Sequence, residues 1–422
     1  MTPTRRLPRL LPSAALLAAA LLPFAPAASA ASAASAASAE AAPTAGLQLA
    51  GPAEKAVPDG WIVTLKESAA GDRAVTDLLA GAGGGARLGH VYRSALHGFS
   101  ARMNRAQAAR LAADPRVARV QQDTEVTLDA MAPAARAAPD VDQPGAPWGL
   151  DRIDQRRLPL STTYTYRTTA PDVHVYVIDT GLRTTHTEFG GRASVGTDTV
   201  GDGRGGEDCN GHGTYVGGIV AGRTYGVAKE ARLVSVRVLD CQGSATTSAV
   251  IAGVDWVTAH AVRPAVANMS LGGAANTALD TAVRNSIRSG ITYTVAAGSS
   301  GRPDGACATS PARVAETLAV GASDRLDRRA ASSNYGNCVD LFAPGVAVPS
   351  AWKDGDTATA TLSGTSAATA HTAGAAALHL AFRPGDTPAQ VGQGLVANAT
   401  TGVLQGTPPV EPNRLLYTLH LR

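Results

Sequence analysis

Several features that mark large classes of protein are scarce in this 422-residue chain. Only 17% of residues are charged and the formal net charge is +3, while 45% are hydrophobic, so the charge-rich, apolar-poor balance of a disordered chain is missing. Lysine is rare: four of the 37 basic residues are Lys, and no basic run occurs after residue 10. That argues against a nucleic-acid scaffold, which needs a clustered basic face. Beyond the N-terminus, no segment approaches the roughly 18 continuous apolar residues of a membrane span. The four cysteines contain no Cys-x-x-Cys, which leaves a zinc site or a thioredoxin-type redox role without support. Aromatics make up 4%, so a core must be built from small residues, Val, Leu and Ile. The length accommodates two or three domains, or one large α/β domain with an attached segment.

Arg5, Arg6 and Arg9 precede an apolar stretch from Leu10 to Pro26 that ends in a run of Ala-Ser-Ala. Basic start, apolar middle and small-residue end describe a secretory signal peptide cleaved near Ala30. The competing reading is a membrane anchor, which Pro12, Pro23 and Pro26 disfavour. Export makes disulfides permissible, and Cys209, Cys241, Cys307 and Cys338 allow three pairings.

Residues 31–58, rich in Ala and Pro, read as a linker. A small α+β unit follows at 59–130: WIVTLK as a strand, RAVTDLLA as a helix, GHVYRSALHGFSARM as paired strands, AQAARLAAD as a second helix and VARVQQD as a last strand. Residues 131–145 form a low-complexity connector open to proteolysis. From 146 to 422 the pattern alternates. VHVYVID, RLVSVRVLD, AVANMSL, ITYTVAAG and TLAVGAS are strands, and TTSAVIAGVDWVTAHA and TALDTAVRNSIRSG are helices between them. That alternation predicts an α/β domain, a mostly parallel sheet flanked by helices, with its site beyond the strand C-terminal ends.

The polar residues at those ends form a set. Asp179 ends VHVYVID, His212 lies in NGHGTYVGG, and Ser366 heads the Ala-rich helix of SGTSAATAH. Singly they read as a capping Asp, a core His and an N-cap Ser. Together, in that order and each beside Gly, they describe an acyl-transfer triad. The order excludes the arrangement in which Ser comes first, and no G-x-S-x-G surrounds Ser366.

The blocks DTGLRTTHTEFGGR, NGHGTYVGG and SGTSAATAH resemble the three signatures of the subtilases. APWGLDRIDQRRLPLS, YGVAK, ANMSLGG, SPARVAE and SNYGNCVDLFAPG narrow the resemblance to the proteinase K branch, especially aqualysin-like secreted enzymes. The 59–130 unit resembles the subtilase inhibitor-type prosequence. The resemblance implies a subtilisin-like fold and a secreted, monomeric serine endopeptidase of broad specificity. It also implies a self-processing precursor whose own prosequence is its inhibitor; protein or peptide substrates are the partners, with no nucleic acid and no membrane anchor after signal removal. It gives Ser366 as nucleophile, His212 as general base and acid, and Asp179 as the residue orienting the imidazole. Gly243, Ser244 and Ala245 match one substrate-binding strand, Ser270, Leu271 and Gly272 the facing one, and Ala296, Ala297 and Gly298 a wall of the specificity pocket. It implies the pairs Cys209–Cys241 and Cys307–Cys338, no catalytic metal, and structural calcium at Asp340 with the carbonyls of Ala315 and Thr317. A second cation site matches around Asp151, Asp154 and Gln155 but lacks the family's partners at Ser161 and Thr163.

The departures cluster near the nucleophile. Ser299 stands where the family has the Asn whose side-chain amide donates to the oxyanion, and the loop after it is two residues longer. Tyr215 replaces the second His of HGTH; Ala367 and Ala370 replace Met and Pro. Losing an oxyanion donor costs about 10²–10³ in turnover, a value known from a subtilisin. The reading is therefore an impaired but working protease, with a weak or inactive peptide-binding protein of the same fold as its alternative. Two glycine patterns that imitate nucleotide loops, GDGRGG (201–206) and GAGGGA (81–86), lack the strand–turn–helix setting that motif needs.

Overall fold

In a computed structural model, the residues described are 46–421 apart from 53, 129–131, 134–144, 407–408 and 410; the proposed signal at 1–30 lies outside them. The chain after residue 145 is organised by a nine-stranded sheet. Eight strands run parallel in the spatial order Arg414–Leu415, Leu341–Pro344, Leu318–Ser323, Thr292–Ala296, Ala265–Met269, His174–Asp179, Arg232–Arg237 and Ala193–Asp198. The central ones are buried along nearly their whole length, the signature of a parallel sheet covered on both faces. Two apolar clusters form the core, one on the helices His212–Ala221 and Thr365–Phe382, the other on Thr247–His260 and Thr277–Arg288. Ala makes the Thr365–Phe382 helix thin enough for close packing, and sixteen of its eighteen residues are buried. His371 in that helix donates from Nδ1 to the Ala367 carbonyl at 2.8 Å; burial lowers its pKa to about 4, so it is a neutral structural imidazole. Both disulfides form as the resemblance implies, Cys209–Cys241 and Cys307–Cys338.

The small N-terminal unit has the expected order, with strands Ala56–Leu65, Arg87–Tyr92, Gly98–Arg102 and Val117–Thr127 and helices Asp72–Ala82 and Arg105–Ala112. Part of the stretch read as linker belongs to this unit. Leu47 and Gln48 pair with Val120 and Gln121, and the first long strand begins at Ala56 rather than after residue 58. The reason is backbone satisfaction: the exposed edge of Val117–Thr127 takes up the short 47–48 segment.

This unit shares a core with the helices Thr247–His260 and Thr277–Arg288. Ile62, Tyr92, Ala95, Leu96 and Val126 belong to the second catalytic cluster. Two carboxylates fix the contact. Asp255 accepts from the backbone N–H of Arg93, Ser94 and Ala95, and Asp123 accepts from the Ser248 N–H at the start of its helix. Among the described residues no helix is long and apolar enough to cross a membrane.

Candidate active site

Asp179 closes its strand at the C-terminal edge of the sheet and is fully buried. Its Oδ1 accepts from the Thr180 N–H at 2.7 Å and from His212 Nδ1 at 2.7 Å. A carboxylate only accepts, so the imidazole donates from Nδ1, and Nε2 is the basic nitrogen. Close approach makes this contact reachable: a Cβ on Gly213 would lie 2.0 Å from the Gly181 carbonyl oxygen.

His212 opens its helix directly after Gly211. Asp208, buried and absent from the sequence-level site, fixes that start. Its Oδ1 accepts from the N–H groups of Asn210 (3.0 Å) and Gly211 (2.7 Å) and from the Thr180 hydroxyl (2.9 Å). Its Oδ2 accepts from the Thr214 N–H (2.9 Å) and hydroxyl (2.6 Å). Burial pushes this carboxyl's pKa up, and the hydrogen bonds oppose that. An acid four residues ahead of a helix is the one signal that could have found it.

Ser366 is the second residue of its helix and 2% exposed. Its hydroxyl donates to the Ser270 carbonyl at 3.2 Å, and the Ser270 hydroxyl donates to the Ser366 carbonyl at 3.1 Å. The His212 and Ser366 helices pack against each other. Ser299 follows Gly298, and its hydroxyl lies 3.2 Å from that of Thr365, the residue before the nucleophile. Ala296 and Ala297 are buried, and the Ala297 carbonyl accepts from Asn334 Nδ2 at 2.8 Å. Asn334 Oδ1 accepts from the Ser300 hydroxyl (2.9 Å) and the Arg302 N–H (3.0 Å). Asn334 thus anchors the loop after Gly298, a contact between residues more than thirty apart that no local motif announces.

The two segments that the resemblance gives as substrate-binding strands lie on either side of the last strand of the N-terminal unit. Ser244, Ala245 and Thr246 pair antiparallel with Thr127, Val126 and Glu125, and Gly272 bridges to Thr127 from the other side. The Leu128 N–H donates to the Gly243 carbonyl at 2.9 Å, and a Cβ on Gly243 would lie 2.7 Å from Leu128 Cδ1, so glycine there makes room for the side chain. Leu271 and Val126 are buried in one cluster, with Ala245 packed against it. Residues 132–133, read as processing linker, pair with Ser363 and Leu362, three and four residues before Ser366.

The two cation matches differ. Asp340, Ala315 and Thr317 line one cavity of about 840 Å³. Burial raises the Asp340 carboxyl pKa to about 6, opposed by the Ala319 N–H donating to it at 2.8 Å. A carboxylate and main-chain carbonyls lining one cavity are a donor set of the kind a hard cation takes, so the chemistry of these residues fits calcium. Around Asp151 the fit fails. Asp151 Oδ1 accepts from the Ser161 N–H and hydroxyl, its Oδ2 from the Thr162 N–H, Asp154 Oδ2 from the Thr165 N–H and Gln155 Oε1 from the Ser161 N–H. Protein donors, including the Ser161 hydroxyl, stand where a cation would.

Comparison with known proteins gives the family. The Subtilase family matches residues 171–413, and Peptidase inhibitor I9 matches residues 61–129. An extracellular serine proteinase of Thermus sp. (strain Rt41A) is 52% identical over 334 residues, 79% of this chain and 78% of that protein. Alkaline serine exoprotease A of Vibrio alginolyticus is 48% identical over 329 residues, 78% of this chain and 60% of that protein. The crystal structure of a cold-adapted subtilisin-like serine proteinase superposes with a TM-score of 0.63 at 50% identity, covering 65% of this chain and 99% of that one. With its family match spanning more than half its length, and an I9 segment ahead of the catalytic domain, this chain belongs to the subtilases, the serine endopeptidases of proteinase K-like type.

Proposed function

We propose that the chain is an exported precursor that cleaves its own prosequence and then, as a monomer, hydrolyses peptide bonds in other proteins with broad side-chain preference. One observation supports this reading: the described chain on one side of residues 129–131 pairs with Gly243–Thr246 up to Leu128, and on the other side Ala132 and Pro133 pair with Ser363 and Leu362, three and four residues before Ser366. The bond cut first then lies between Leu128 and Ala132. Main-chain pairing holds such a substrate whatever its side chains, which is the basis of the broad preference.

The Ser366 hydroxyl turns from Ser270 to His212, whose Nε2 takes its proton as Oγ attacks the carbonyl carbon. Asp179 holds the imidazole by the 2.7 Å bond and stabilises its charged form. The oxyanion is met by the Ser366 N–H and by the Ser299 hydroxyl, a shorter donor than the family's amide. The imidazolium gives its proton to the leaving amine, and water then releases the acyl group by the same steps. A fluorophosphonate probe applied to the processed enzyme should label one residue, Ser366, and leave Ser366→Ala unlabelled. Equal labelling of both proteins would place the nucleophile elsewhere.

Calcium belongs to the proposal as a structural ion held by Asp340 and the carbonyl oxygens of Ala315 and Thr317. When bound it supplies charge compensation for a carboxylate that burial disfavours. An ion at about 100 times its Kd adds about 2.7 kcal/mol, or roughly 5–10 °C in Tm for a domain of this size. Chelation should lower Tm by that amount in the parent and have no effect in Asp340→Ala. An unchanged parent Tm would remove the ion from the account.

A further inference from the structure

Tyr215 has no part in the chemistry above, yet it sits one turn into the helix that His212 begins. It is fully buried, and its hydroxyl reaches the carbonyl oxygens of Val348 at 2.8 Å and Leu362 at 3.2 Å. These residues face each other across the antiparallel hairpin formed by Val348–Ala351 and Thr359–Ser363. The other edge of that hairpin carries the pairs Leu362–Pro133 and Ser363–Ala132. Burial raises the phenol's pKa far above its ordinary value, so the hydroxyl stays protonated and its hydrogen points at a carbonyl.

Two more contacts bind the same hairpin to the same helix start. The Ser350 hydroxyl donates to the Tyr215 carbonyl at 2.8 Å, and the Trp352 ring comes so close to Gly211 that a Cβ there would lie 2.6 Å from it. The hairpin is therefore fastened to the first turn of the His212 helix, while its edge pairs with the chain beyond residues 129–131.

We infer that Tyr215 is a positioning residue for the leaving-group side of the substrate, setting the strand that receives the chain beyond the cleaved bond at a fixed distance from His212. The inference rests on the proposed reading of the site. It follows from what the imidazole must do: its proton goes to the leaving amine, which belongs to the segment held by this hairpin, and small misplacements of reacting groups are costly. Phe in place of Tyr keeps the ring and its packing and removes only the hydroxyl.

The test compares processed parent and Tyr215→Phe on two substrates with the same residues before the cleaved bond. One is a peptide 4-nitroanilide, with no amino acid beyond that bond; the other is a quenched fluorescent peptide extending three residues beyond it. The loss of kcat/KM on the extended peptide should exceed the loss on the anilide by about fivefold, the worth of one buried hydrogen bond, and be carried mainly by kcat. Equal losses on both substrates, the sign of a general structural role, would overturn the inference, as would no loss on the extended peptide. If Tyr215→Phe does not fold, Ser350→Ala removes the neighbouring fastening and carries the same expectation and the same contrary results. A parent enzyme that cleaves neither substrate would overturn the reading of the site and this inference with it.

Discussion

Asp179→Asn should lower kcat by about 10⁴-fold while leaving the fold in place. The carboxylate is fully buried and its two contacts through Oδ1, to the Thr180 N–H and His212 Nδ1, are both bonds it accepts. An amide of the same shape is neutral and no longer stabilises the imidazolium. Where its NH₂ takes the place of Oδ1, at the cost of the Thr180 bond, the imidazole has to accept at Nδ1 and carry its proton on Nε2. In that tautomer His212 cannot take the proton of Ser366. The size of the effect comes from this reversal, since the volume change is negligible and the buried position stays filled. Steady-state kinetics on a peptide anilide, with Tm as the control for folding, measures it. A loss smaller than about tenfold would mean that His212 is oriented by something other than Asp179.

Ser299→Asn should act in the opposite direction, raising kcat by about 10- to 100-fold with little change in KM. An oxyanion donor acts where charge develops, so it stabilises the transition state and leaves ground-state binding alone. The full worth of such a donor is about 10²–10³, and on the proposed reading the serine supplies part of it. Ser299 is placed for this exchange: its hydroxyl lies 3.2 Å from that of Thr365, next to the nucleophile. The longer loop is held independently through Ser300, Arg302 and Asn334, so the substitution leaves its anchor intact. Unchanged or lower kcat would show that the loop has rebuilt the oxyanion site without residue 299.

What could be read in advance follows from how local each signal is. Asp179, His212 and Ser366 were legible because each sits in a short Gly-bearing motif at an element end. The strands His174–Asp179, Ala265–Met269 and Thr292–Ala296 were legible because burial on both faces writes a continuous apolar run. The strand Ala193–Asp198 was missed: it is an edge strand, half exposed, and its residues ASVGTD form no apolar run. The hairpin spanning Val348–Ser363 was missed for a similar reason, its second strand being TATLS. The last prosequence strand was read as ending at Asp123. Its extension to Thr127 depends on Ser244–Thr246, more than a hundred residues away. Asn334 escaped because its partners around Ala297–Arg302 lie more than thirty residues away, and Asp208 because its link to Thr180 forms only in the folded chain and no apolar pattern marks its local turn.

The most direct test of the whole account is where, and by which residue, the precursor is first cut. Purified precursor and its Ser366→Ala variant would be followed by intact mass, with N-terminal sequencing of any product. The account predicts that the parent releases a prosequence fragment ending between Leu128 and Met131 while the variant stays whole. An uncut parent, a first cut outside that interval, or equal cutting of the variant would contradict it.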